Sequence, residues 1–177
     1  ARAALAMERL AAELGSRSPD HPCGPPTLSI GTIHGGIGVN LVPDRVVLEI
    51  DRRLLPGESA EAARQEVIDA VATAVGPEAS AAIEHEPPFL SSDGLPKEVD
   101  GRTAAMLAAA ATRCGHKARV LAARYGTNAS IYAAADVPSV VFGPGSIAQA
   151  HTVDEWIELD QVALAAAILT DTVAAAA

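Results

Sequence analysis

Apolar positions along this chain change their spacing several times, and each change predicts an element. Over residues 1–14, ARAALAMERLAAEL, Met7, Leu10, Ala11 and Leu14 share one helical face, with Gly15 as the expected C-cap. Ser16 to Pro26 carries four prolines, a glycine and an aspartate and reads as loop. Thr27 to His34 alternates, Leu28 and Ile30 against Ser29 and Gly31, as a half-buried strand does. Gly35-Gly36-Ile37-Gly38 interrupts it. A longer strand is expected over Leu41 to Leu54, with Val46, Leu48 and Ile50 on one face and Pro43 near its start, where a missing N–H is tolerable. Pro56-Gly57 turns the chain, and Ser59 fits the N-cap of a helix running to Val75 with Ala63, Val67, Val71 and Ala74 inward. Gly76-Pro77 stops that helix. Ala79 to Glu86 alternates again, with Ala81 and Ile83 inward, and Pro87-Pro88 closes the run.

The order α-β-β-α-β is that of a ferredoxin-like βαββαβ sandwich lacking its first strand, two helices covering one face of an antiparallel sheet. Phe89 to Pro96 reads as a linker, so the expected domains are residues 1–88 and 89–177. In the second, a helix over Glu98 to Cys114 stacks Val99, Thr103, Met106 and Ala110, with Gly115 as its C-cap. A short strand near Ala118 to Ala122 follows. Thr127 is placed to cap a helix ending at Ala135, Pro138 to Phe142 reads as a buried strand, and a last helix is expected from Asp160 to Val173. The fold class is α/β, and this second half has too few strands to close a sheet by itself.

Composition narrows the functions open to such a chain. Of 177 residues 49% are apolar, yet alanine is by far the commonest of these and only 3% are aromatic, so the core has few large anchors. A net charge of −9 with no basic run argues against nucleic acid as a partner. Cys23 and Cys114 form no metal or redox spacing and read as reduced thiols of a cytoplasmic protein. No run is expected to reach transmembrane length, and no signal peptide is recognisable, so no membrane partner is expected. The chain opens at Ala1 already inside a helical pattern, and is expected to be a piece of a longer protein.

The densest chemistry lies in Gly143 to Glu155, GPGSIAQAHTVDE, directly after the Pro138 to Phe142 run. Loops beyond strand ends are where open α/β sheets hold ligands. Gly143 and Gly145 allow close backbone approach, and His151 precedes an acid pair, Asp154 and Glu155, that can orient a histidine. A loop histidine is also ordinary surface, and His151 alone does not decide between the two.

The segment RYGTNASIYAAADVPSVVFGPGSIAQAHTVDEWIELDQ resembles the C-terminal catalytic segment of the zinc amidohydrolases that include acetylornithine deacetylase, succinyl-diaminopimelate desuccinylase and aminoacylase. The segment TLSIGTIHGGIGVNLVPDRVVLEIDRRLLPGES resembles the lid, or dimerisation, domain inserted in the same family. The resemblance implies a zinc-peptidase-like α/β catalytic domain following the lid. It also implies hydrolysis of the amide of an N-acyl amino acid or small peptide, and two zinc ions, with cobalt or manganese as substitutes. In the family metal-bound hydroxide attacks the carbonyl, and a homodimer forms through the lid.

Carried over residue by residue, the resemblance makes His151 a metal ligand and places Asn40 and Arg53 at the substrate, approaching from a neighbouring subunit. Such roles suit the side chains: arginine binds a carboxylate bidentately, and asparagine donates to a developing oxyanion. Arg52 fits the carboxylate role as well as Arg53, because strand register is open at this level, and a turn-making Asn40 with a solvated Arg53 is the plainer alternative. Gly126, in RYGTN, matches a substrate-site loop, with Asn128 where the family has Asp. His34 reads as a strand end, Gly36-Ile37-Gly38 lacks the following helix of a nucleotide loop, and His21, His85 and His116 read as surface. One histidine cannot hold zinc, so the isolated chain is expected to bind metal weakly and to be inactive, with no catalytic residue of its own. Two rival expectations are a non-catalytic dimerisation or amino-acid-sensing module, and an inactive relative.

Overall fold

The computed structural model describes residues 1–96 and 101–176, which fall into two compact units, Ala1–Gly94 and Leu95–Ala177. The first unit contains α1 (Arg2–Ser16), β1 (Thr27–Gly35), β2 (Val46–Arg53), α2 (Ala60–Val75) and the single turn α3 (Pro77–Ser80). The second contains α4 (Arg102–Arg113), α5 (Ala129–Ala134) and α6 (Leu159–Ala176).

In the first unit α1 buries Leu10 and Leu14 of the expected stripe together with Ala6, while Met7 and Ala11 are only partly buried. α2 buries Ala63, Val67 and Val71 as expected, with Val75 in place of Ala74. Leu10, Leu14, Leu28 and Val67 form one core cluster, so α1 and α2 share the face of the β1–β2 hairpin that carries Leu28. At about 25 cal/mol per Å² of apolar surface removed from water, a side chain such as the fully buried Leu14 contributes roughly 2–3 kcal/mol before chain entropy is counted. Gly15 does not end α1. The helix continues to Ser16, and the Arg17 N–H closes it on the Leu14 carbonyl at 2.9 Å. Ser59 does cap α2, its hydroxyl accepting from the Ala62 N–H at 3.3 Å.

The hairpin is antiparallel, pairing Thr27 with Arg53, Leu28 with Arg52 and Ile30 with Ile50, then Thr32 with Glu49 after a one-residue irregularity at Gly31. Its second strand is shorter than the expected Leu41 to Leu54, because residues 36–45 form the loop at the hairpin tip. The third strand expected over Ala79 to Glu86 is absent. Gly76, at φ 84°, breaks α2, and Pro77 begins α3 at a first helical position where a missing N–H costs nothing. The described residues therefore run α-β-β-α-α in this unit, and the full βαββαβ pattern is not there.

In the second unit Ala110 and Ala111 of α4 pack on Ile168 of α6, flanked by Leu107, Cys114, Ala118 and Leu164. Residues 97–100, and with them the expected helix start at Glu98 and Val99, lie outside the described residues. Gly115, at φ 76°, ends α4 as expected, with the His116 N–H returning to the Ala111 carbonyl at 2.8 Å. Neither Ala118–Ala122 nor Pro138–Phe142 is a strand, and Val120, Leu121 and Val141 are exposed. A strand exists only against a partner that takes its N–H and C=O groups, and the sole sheet of the described residues is the hairpin of the other unit. The expectation of no membrane-length run also needs correction. By length and composition α6, with 18 residues and mean hydropathy 1.4, is long enough to cross a membrane. It carries Asp160 and Asp171, however, and packs Ala165 and Ile168 inward, Ile168 against α4, while most of its surface is exposed.

Candidate functional site

Alternation along β2 sends Arg52 and Arg53 to opposite faces of the hairpin. Arg52 pairs with Leu28 and turns toward the helices, where its side chain is only 9% exposed. There its guanidinium donates to Glu58 at 3.0 Å and to the Arg53 carbonyl, and lies 4.0 Å from Glu66. Glu58 accepts in turn from the Leu55 N–H at 2.6 Å, which fixes the turn into α2. Glu66 also takes Arg17 at 2.7 Å, and that hydrogen bond raises the Arg17 pKa further above its ordinary value. Arg52 is thereby committed to joining strand, turn and helix. Arg53 stands on the open face, 58% exposed, with its Nε donating to Asp51 at 2.7 Å. Of the two arginines the sequence left open, only Arg53 presents its guanidinium to solvent.

Asn40 lies in the hairpin tip, in a turn closed by the Leu41 N–H on the Gly38 carbonyl at 3.2 Å. A side chain at Gly38 would come within 3.3 Å of the Asn40 amide oxygen. Arg53 ends the strand at the other end of the hairpin. With a rise of about 3.3 Å per residue, β2 alone sets the two on the order of 20 Å apart. The hairpin does not bring Asn40 and Arg53 together. His34, next to last in β1 opposite Val47, is exposed, as expected for a strand end.

In the second unit the loop of residues 143–155 is tied by its own side chains. Gln161, from the first turns of α6, accepts from the Gly145 N–H at 2.8 Å, and the Thr152 hydroxyl donates to the Gln149 carbonyl at 2.7 Å. Gly145 favours glycine because its φ is 94°, a backbone conformation that residues with a Cβ rarely adopt. Gly143 and Gly126 show no such need, since a Cβ at either would meet open space. Gly126 leads into α5 through Thr127, whose hydroxyl accepts from the Ala129 N–H at 3.0 Å, close to the expected cap.

His151 is exposed and sits at φ 59°, a left-handed conformation uncommon for a residue with a Cβ. Glu155 holds it there by accepting from the His151 backbone N–H at 3.1 Å. The acid pair was expected to orient the imidazole; Glu155 instead orients the main chain. Among the described residues no group of three or more His, Cys, Asp or Glu side chains is arranged to hold a metal ion. His151 is thus a single donor, and the described residues do not by themselves fit a zinc ion, which needs three or four protein ligands.

Comparison with known proteins decides what these loops belong to. The sequence matches the profile of peptidase family M20/M25/M40 over residues 6–175. The chain is a member of that family. It is 31% identical over 150 residues to acetylornithine deacetylase of Edwardsiella ictaluri, a match covering 84% of this chain and 37% of that protein. It is 32% identical over 140 residues to N-acetyl-L-citrulline deacetylase of Xanthomonas campestris pv. campestris, covering 76% of this chain and 35% of that protein. The chain therefore spans about a third of the length of these relatives. Members of the M20 family are hydrolases of the amidohydrolase type and are generally metal-dependent, which agrees with the resemblance carried by the GPGSIAQAHTVDE and NLVPDRVVLEIDRR segments.

Proposed function

We propose that this chain is the lid and C-terminal catalytic portion of an M20 amidohydrolase that removes the acyl group from an N-acyl amino acid or small peptide. The observation that carries the reading is Arg53: a family lid position where the guanidinium is held at a strand end and open to solvent, while its neighbour Arg52 is consumed inside. Arg53 binds the substrate's carboxylate, and Asn40, a hairpin length away, serves as a donor to the acyl oxygen in a second active site across a homodimer. The tip residues Ile37, Val39, Leu41 and Val42 are exposed, which supports their contacting another chain. α1, β1, β2 and α2 form the lid in this reading.

His151 contributes one ligand to a zinc site whose other ligands come from outside the described residues, and zinc, when bound there, supplies Lewis acidity toward the amide. The strand-like run Pro138–Phe142, unpaired among the described residues, supports a sheet completed by another segment. On this reading the chain alone is inactive, and the amide chemistry belongs to the larger assembly.

The test is deacylation of N-acetyl amino acids by the metal-loaded protein containing this chain, with and without a chelator. Release of free amino acid that stops on chelation and returns with zinc is expected. Turnover undiminished by chelation contradicts the metal-dependent part, and no turnover of any N-acyl amino acid favours the non-catalytic module.

A further inference from the structure

On the open face of β2 the side chains alternate as Val47, Glu49, Asp51 and Arg53, so two carboxylates accompany the one guanidinium. Glu49 accepts from the Thr32 hydroxyl at 2.5 Å. Asp51 is two residues from Arg53, on the same face, and takes its Nε at 2.7 Å. A guanidinium has two edges suited to a carboxylate, the side edge that includes Nε and the end edge of the two terminal nitrogens. Asp51 sits on the first. A ligand carboxylate is left the end edge, and in reaching it comes within several ångströms of the Asp51 charge.

We propose that Asp51 is a specificity-determining residue of the substrate site: it orients Arg53 for end-on capture of one carboxylate and selects against substrates that carry a second. The inference rests on the reading of Arg53 given above and extends it to the charge class of the amino-acid side chain. The first carboxylate is held by direct hydrogen bonds to Arg53, which outweigh the nearby negative charge. A second carboxylate has no such hydrogen bonds and meets the charges of Asp51 and Glu49 against the single cation Arg53, already engaged by the first carboxylate, within the ~8 Å screening length of physiological salt. Substrates with neutral or cationic side chains escape the penalty.

The experiment compares N-acetylglutamine with N-acetylglutamate, which differ by an amide against a carboxylate, in the metal-loaded protein containing this chain. The glutamine compound is expected to have the higher kcat/KM by about fourfold, the size of one like-charge contact in a solvated site. Asp51→Asn keeps an acceptor for Arg53 Nε but removes the charge. It should bring the ratio close to one, mostly by lowering KM for N-acetylglutamate. A ratio left where it was in Asp51→Asn, including a uniform loss on both substrates from misfolding, overturns the inference. Arg53→Ala separates the two levels. If it raises KM for both compounds while Asp51→Asn leaves the ratio alone, the Arg53 reading stands and the Asp51 inference falls. If Arg53→Ala changes neither KM, or if neither compound is hydrolysed, the reading beneath fails and takes the inference with it.

Discussion

Removing the Arg52 side chain leaves Glu58 and Glu66 without the cation they share behind the hairpin, and frees the turn that Glu58 closes on Leu55. Truncating one partner of a largely buried ion pair costs more than the pair contributes, because the other charge stays desolvated. Arg52→Ala is therefore expected to lower stability by roughly 2 kcal/mol, and Arg53→Ala, on the solvent face, by less than about 0.5 kcal/mol. Urea denaturation of the two variants checks this, and equal losses would contradict the assignment of faces. Alternation makes it plain from sequence that the two arginines point opposite ways. Which one points inward was not legible, because a core-facing position usually advertises itself by an apolar residue. Here the inward residue is charged, and what makes that tolerable is Glu58 and Glu66, brought to it only by the fold. The same holds for His151, whose left-handed backbone depends on Glu155 reaching back four residues.

At the scale of elements, the parts read correctly from sequence are those whose stability is mostly local. α1 and α2 have long apolar stripes, and α2 and α4 carry their own stop and start signals in Ser59, Gly76 and Gly115. Ser59→Ala is expected to cost about 1 kcal/mol through the lost cap, measurable as a lowered melting temperature of the first unit. An unchanged midpoint would show that the Ser59 hydroxyl contributes nothing to holding α2. Strands were less legible because half of what stabilises a strand lies elsewhere in the chain. β1 and β2 found each other, whereas Ala118–Ala122 and Pro138–Phe142 have no partner among the described residues and remain irregular. Ala79–Glu86 failed for another reason. Its alternation rests on two small alanines and one isoleucine, too little burial to outweigh a proline-initiated helical turn.

At the scale of the whole molecule, the exposed hairpin tip and the open strand edges of a two-stranded sheet are surfaces that proteins seldom leave uncovered. A symmetric dimer through the first unit is expected in sedimentation experiments, and a monodisperse monomer at high concentration would speak against it. Family membership was visible because two separate segments, in order, match one hydrolase family; substrate and assembly were not, since no local pattern of apolar and polar positions encodes them. On the proposed function, His151 serves the metal while the lid serves the substrate. Bound zinc and amide hydrolysis measured together in the metal-loaded protein, for His151→Ala and Asn40→Ala, separate these two roles. His151→Ala is expected to lose zinc and at least about a hundredfold in turnover with the fold intact, because an exposed loop carries the residue. Asn40→Ala should keep its zinc and lose turnover alone. Full zinc and full activity in His151→Ala would contradict its role as a metal ligand.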